Sequence, residues 1–171
     1  MPIEDYEDVS VYGLEPAMED ELIAQQNECT FCWTTADGSP MAVIMSYLRH
    51  DGCFWLTASS QRKRIPAIRR DARVAVVITA TGTKLGRNKA VTYKGTARVL
   101  DDDETKAWFY PVFAERLMGR FGPERVREFA RFLDSPRRVI IEVTPGLRVG
   151  YDGSKMGAAT DEARAAGVHQ G

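Results

Sequence analysis

The densest positive cluster in the chain is Arg62-Lys63-Arg64, with Arg69-Arg70 close behind and Thr57, Ser59 and Ser60 just ahead. Hydroxyls and turn amides donate to phosphate oxygens, and guanidinium and ammonium groups supply the charge that holds them. The residue types run in the order strand, hydroxyl-rich turn, basic residues, helix, so the helix start would turn its positive end toward the same spot. Taken alone, such a run is as often a solvated basic face as a binding site. A second basic group, Lys84, Arg87, Lys89 and Lys94, lies in and after a Gly-rich loop. It would either extend the anion site or keep the loop soluble. Its spacing, Gly82-x-x-x-Gly86-Arg-Asn-Lys89, is no P-loop: the order is wrong and no Ser or Thr follows the lysine.

Other chemistries fail by inventory. A triad needs a histidine placed on a nucleophile, and the two histidines, His50 and His169, stand beside a turn and in the tail. Asp101-Asp102-Asp103-Glu104 reads as a helix cap. Cys29 and Cys32 form a C-x-x-C, but the stretch Cys29-Thr-Phe-Cys-Trp-Thr-Thr35 reads as a strand, where residues three apart point to opposite faces. Two ordinary buried thiols are the expectation, and a zinc site is short of ligands. With so few acid–base or covalent groups, a bound cofactor would do the hard step while the protein supplies position and electrostatics.

The wider composition narrows the class. The chain has 171 residues, 44% hydrophobic and 27% charged, which suits one soluble domain with a single core. A formal net charge of -1 leaves no global basic field for nucleic acid or an anionic membrane. An odd count of three cysteines argues against a disulfide framework. The acidic start, Met1-Pro-Ile-Glu-Asp-Tyr-Glu-Asp8, lacks the pattern of a signal peptide, and no apolar run is long enough to span a bilayer. The expectation is a cytoplasmic protein with no membrane partner.

The elements that must position the basic cluster are mostly strands. Pro16 opens a helix predicted to end near Asn27. Strands are predicted at Phe31–Ala36, Met41–Leu48 and Cys53–Ala58, with Asp37-Gly38 and Asp51-Gly52 as hairpin turns between them. Gln61–Asp71 reads as a helix that opens as a loop, because Pro66 sits awkwardly in it. Val74–Thr79 and Ala90–Leu100 follow as strands. Asp101–Glu104 then caps a helix reaching about Met118 across Pro111, and a further helix spans Pro123–Leu133, with Val126, Phe129, Phe132 and Leu133 on one side. Val139–Val143 and Leu147–Tyr151 close the sheet. About seven short strands with inserted helices spell a mainly β, antiparallel barrel of a single domain. Its core is expected over 14–151, with 1–13 and 156–171 loosely ordered.

Four stretches carry a resemblance: Trp33-Thr-Thr-Ala-Asp-Gly-Ser-Pro-Met-Ala-Val43, Phe54-Trp-Leu-Thr-Ala-Ser-Ser-Gln-Arg-Lys-Arg64, Ile68-Arg-Arg-Asp-Ala-Arg-Val74 and Val91-Thr-Tyr-Lys-Gly-Thr-Ala-Arg-Val99. In this order and spacing the chain resembles the pyridoxamine-5'-phosphate-oxidase-like superfamily of flavin-binding split β-barrels. The resemblance implies an oxidoreductase that uses FMN or the deazaflavin coenzyme F-420 and passes hydride to or from a small organic substrate. It implies that Thr57, Ser59, Arg62, Lys63 and Arg64 hold the cofactor phosphate. Relatives often carry lysine where Arg64 aligns, so Lys63 and Arg64 both remain open for the grip. The ring would lie along Val43, Ile44, Met45, Ser46, Trp55 and Leu56, largely through backbone, with substrate near Tyr47 and Trp55. A homodimer is implied as well. The C-terminal arginine-containing segment that binds substrate phosphate in true pyridoxamine-phosphate oxidases is not matched by Arg148-Val-Gly-Tyr-Asp-Gly-Ser-Lys155, so vitamin B6 oxidation is not expected. A non-catalytic flavin-binding or ligand-sensing protein, and a structural dimer with a vestigial site, remain as alternatives.

Overall fold

A computed structural model of the chain describes residues 8–167. Its strands are β1 (Glu28–Thr34), β2 (Pro40–Ser46), β3 (Leu48–His50), β4 (Cys53–Ser59), β5 (Arg73–Thr79), β6 (Lys89–Leu100) and β7 (Arg138–Asp152). Its helices are α1 (Pro16–Gln25), α2 (Arg64–Arg70), α3 (Asp103–Met118), α4 (Pro123–Leu133) and α5 (Gly153–Ala165). The strands form one mainly antiparallel sheet in the order β2-β1-β5-β6-β7-β4-β3. The ends of that order, β2 and β3, are joined through the single residue Tyr47. A sheet whose two edges are one residue apart in the chain must curl, which is the geometry of a split barrel.

The turn chemistry behaves as the sequence dictates. The β3–β4 hairpin has a two-residue loop, with Asp51 at φ 46° and Gly52 at φ 73°. Both central residues therefore take the left-handed conformation that the right-handed strand twist demands of a tight hairpin. The β1–β2 loop is longer, and there only Gly38 is left-handed, at φ 83°. Asp37 holds this loop with its carboxylate, which accepts from the Thr35 hydroxyl and from Ser39 N.

The chain divides into two compact units. One comprises Asn27–Val76 and Tyr93–Leu147. Its core includes Leu48, Trp55, Phe109, Tyr110, Phe113, Leu133 and Ile140, where α3 and α4 cover one face of β4 and β7. Trp55 donates its indole N–H to the His50 carbonyl at 3.1 Å and meets Trp108 edge-on at 4.8 Å. The other unit comprises the described parts of Met1–Gln26, Val77–Thr92 and Arg148–Gly171. There Gln26 donates to the carbonyls of Thr79 and Thr81. Asp152 accepts from Ser154 N at 3.0 Å and so caps α5, and it also pairs with the largely buried Lys89.

Four expectations need correction. The predicted strand Met41–Leu48 is two elements, because Tyr47 breaks it by giving its N–H to the Asn27 carbonyl. The predicted strands Val139–Val143 and Leu147–Tyr151 are one, β7, which runs through Pro145. The tail past Met156 is helical to Ala165: Ala is the strongest helix former, and the Asp152 cap supplies the start. Residues 1–7 and 168–171 lie outside the described residues. Finally, Phe132 is 67% exposed. At 100° per residue it falls well off the stripe that Phe129 and Leu133 share, so Leu133 takes the inward position.

Among the described residues no helix is long and apolar enough to cross a membrane, and no group of three His, Cys, Asp or Glu side chains is placed to hold a metal ion. Cys29 is buried and Cys32 half-buried on opposite faces of β1. Burial pushes the Cys29 thiol up to about 12.

Candidate functional site

The basic cluster sits where β4 ends. Ser60 N donates to the Arg137 carbonyl at 2.7 Å, so the strand's last ladder bond pins the start of the turn to the chain entering β7. Arg62 N then donates to the Ser59 carbonyl at 3.0 Å and Ile65 N to the Arg62 carbonyl at 2.8 Å. Helix α2 follows for only seven residues. Pro66 is its third residue, where a helical N–H has no intrahelical acceptor, so its missing donor costs nothing. Ile65, Ala67 and Ile68 are buried and fasten the helix, and Arg69 and Arg70 at its end complement the carbonyl pole.

Electrostatics single out Arg64. Its Nε is buried and has no hydrogen-bond partner among the described residues. Burial lowers its pKa, and the neighbouring Arg62 guanidinium lowers it further. A buried guanidinium N–H without an acceptor, pressed by a second cation, is in a state that an anion would relieve. The residue types therefore fit a phosphate. Arg62 and Lys63 are exposed and free to close on it from solvent. Thr57 is less available, because its hydroxyl already donates to the Val139 carbonyl at 2.9 Å. Among the described residues the Ser59 hydroxyl is held only by a long contact from Gln61 N, at 3.4 Å.

Sheet pairing adds two residues that the sequence reading missed. Arg138 lies directly opposite Ser59 in the β4–β7 register, and Arg137 supplies the carbonyl that fixes Ser60. The signal available in the sequence was the doublet Arg137-Arg138 just ahead of a strand, but nothing local ties it to residue 59.

The remaining candidates fall on two strand edges. β2 is the last strand of the sheet order, and β3 pairs only with Cys53–Trp55 of β4. Among the described residues, then, the outer edge of β2 and the Leu56–Ser59 edge away from β7 have no strand beside them. Val43, Ile44, Met45 and Ser46 line the first; Leu56, Thr57 and Ser59 line the second. Ile44 is 63% exposed, whereas the Met45, Trp55 and Leu56 side chains are enclosed. Met45 and Leu56 could reach a ligand only through main-chain groups, and Trp55, paired with Leu48 on one side and Glu142 on the other, has no open edge to offer. Tyr47 is fully buried, with Arg116 over its ring and Phe54 at its edge, so no substrate can stack on it. Of the second basic group, Lys89 is engaged by Asp152, while Lys84 and Arg87 belong to the other compact unit.

Comparison with known proteins follows the same lines. The family model described as pyridoxamine 5'-phosphate oxidase matches residues 14–147. A conserved hypothetical protein from Mycobacterium tuberculosis is similar in structure over 84% of this chain and 88% of its own, at 21% identity and a TM-score of 0.70. An F420 reductase is similar over 75% of this chain and 94% of its own, at 17% identity and a TM-score of 0.56. A FAD-binding protein from Mesorhizobium loti is similar over 80% and 94%, at 16% identity and a TM-score of 0.55. These identities speak for a shared fold. No curated protein matches the sequence.

Proposed function

Since the chain belongs to the pyridoxamine 5'-phosphate oxidase family, we propose that it is an oxidoreductase that holds a flavin-type cofactor, FMN or the deazaflavin F-420, by its phosphate at the Ser59–Arg64 turn. The observation that carries the reading is the buried Arg64 Nε with no acceptor, beside the Arg62 guanidinium. When bound, the cofactor supplies hydride transfer to or from a small organic substrate. The chain's own residues then bind and orient. Arg62, Arg64 and Lys63 neutralise the phosphate, and the Ser59 hydroxyl donates to it. The unpaired edges at Val43–Ser46 and Leu56–Ser59 offer main-chain N–H and C=O groups to a heterocycle's polar rim.

Two further features support details of this reading. Arg148, the arginine of the C-terminal segment, lies just past the matched residues 14–147 and donates to Glu19 and to the Leu14 carbonyl, so it is engaged within the fold. Vitamin B6 oxidation is accordingly not part of the proposal. The exposed Met41 and Ile44 on a strand edge favour coverage by a second copy of the chain.

The test is a titration of cofactor-free protein with FMN and with F-420, followed by fluorescence, and then turnover assays with nitroaromatic, enone and quinone acceptors. Saturable binding with turnover is the expected result. Tight binding without turnover on any acceptor would favour a carrier or sensor. No flavin in the purified protein and no saturable binding of any flavin-type cofactor would refute the cofactor reading.

A further inference from the structure

Helix α4 leaves one aromatic ring where the core gains nothing from it. Phe132 is 67% exposed. Its ring lies nearly parallel to Phe129 with centroids 6.3 Å apart, and the Arg138 guanidinium carbon stands 6.0 Å from its centroid. That distance is the outer limit of a cation–π contact, so the pair is not closed upon itself. Arg138 is also the residue opposite Ser59. Opposite residues of an antiparallel pair project to one face, with Cβ atoms about 4.5–5.5 Å apart. The Arg138 side chain therefore leaves the sheet beside that of Ser59 and carries its guanidinium toward an open aromatic face. The carbonyl of Arg137, fixed on Ser60 N, holds this juxtaposition in register.

Resting on the cofactor reading above, we propose that Arg138 and Phe132 form the second half of the site, for a flavin that continues beyond its first phosphate into a nucleobase. The preferred ligand is then FAD. Arg62 and Arg64 take one phosphate of the pyrophosphate, Arg138 takes the other, and the base stacks on Phe132 with the guanidinium beside it. Stacking on an exposed aromatic is tolerant of base identity and needs no further hydrogen bonds. FMN has no group to reach Phe132. The acidic tail of a deazaflavin would use the arginine and ignore the ring.

Calorimetric titration of the cofactor-free full chain with FAD, FMN and F-420 separates these cases. FAD should bind at least about five-fold more tightly than FMN, and Phe132→Ala should remove about five-fold or more of FAD affinity while leaving FMN within about two-fold. Phe132 is exposed, so this variant should fold normally. Arg138→Gln should weaken FAD more than FMN. Equal affinity for FAD and FMN would overturn the proposal, as would a Phe132→Ala effect that is absent or equal on both. F-420 binding most tightly, with dependence on Arg138 but not on Phe132, would overturn it too. In all of these outcomes the cofactor reading survives; if none of the three ligands binds, that reading falls and takes this proposal with it.

Discussion

Replacing Arg64 with Met should move stability and cofactor binding in opposite directions. Met keeps an apolar stem in the space of the arginine methylenes, so the substitution removes charge with little loss of packing. What disappears in the free protein is a buried N–H without an acceptor. An unsatisfied buried donor costs about 1–3 kcal/mol, and the lower end applies here because the rest of the side chain reaches solvent. The relief is thus about 1 kcal/mol, or a Tm higher by about 2–4 °C in a chain of this length. In the complex, the same guanidinium would make charge-assisted hydrogen bonds to phosphate worth about 1.5–3 kcal/mol, so Arg64→Met should weaken FMN by about 10- to 150-fold. Differential scanning fluorimetry gives both numbers from one plate. At about 100 times Kd the cofactor adds about 2.7 kcal/mol to the wild type, and the variant should show much less of that gain. If Arg64→Met melts several degrees below wild type without ligand and still gains the full increment with FMN, Arg64 is a structural residue and the argument from its orphaned Nε is wrong.

Two further perturbations probe the frame around the site. At Gly95 a Cβ atom would stand 2.5 Å from the Thr144 carbonyl oxygen and 3.2 Å from Val143 Cγ1. Because the nearest neighbour is backbone, Gly95→Ala should cost about 1–3 kcal/mol, seen as a Tm lower by several degrees; an unchanged Tm would show that the two strands can part freely there. The Asp71 carboxyl is held at about 2, against an ordinary 3.8, by its hydrogen bonds from Arg73. A lowered carboxyl pKa gives stability that is present above the unfolded value and is lost as pH falls through the folded one. Asp71→Asn should therefore be less stable than wild type above about pH 4 and should converge with it toward pH 2; a gap that stays constant across that window would exclude the ion pair as its source.

Much of this architecture could be read from local chemistry. Asp51-Gly52 and Asp37-Gly38 marked both hairpins, and Pro123–Leu133 was delimited by its proline and its amphipathic stripe. What escaped the sequence reading depended on contacts from afar. Hydropathy is uniform across Met41–Leu48, so the break at Tyr47 is invisible until Asn27 accepts its N–H. The gap expected between Val143 and Leu147 is bridged through Pro145, because a proline costs a strand only one ladder donor. At the site, the basic run of residues 62–64 was plain in the sequence. Its unpaired Nε was not, because burial is a tertiary property. Arg138 was hidden for the same reason: only the pairing of β4 with β7 brings it beside Ser59.

That pairing also has a consequence in time. Phe54 pairs with Val143 and Ser59 with Arg138, partners roughly 80–90 residues apart in the chain. A sheet built on such distant partners closes slowly, because the entropy of the intervening loop is lost before the contact forms. On a ribosome adding about 5–20 residues per second, β7 emerges several seconds or more after β4. Throughout that interval Leu56–Ser59 has neither of its edges covered, and Ser60 has no Arg137 carbonyl to pin it. An anion that needs this pinned turn is bound by a finished chain, and on the proposed reading the cofactor then binds after folding rather than guiding it.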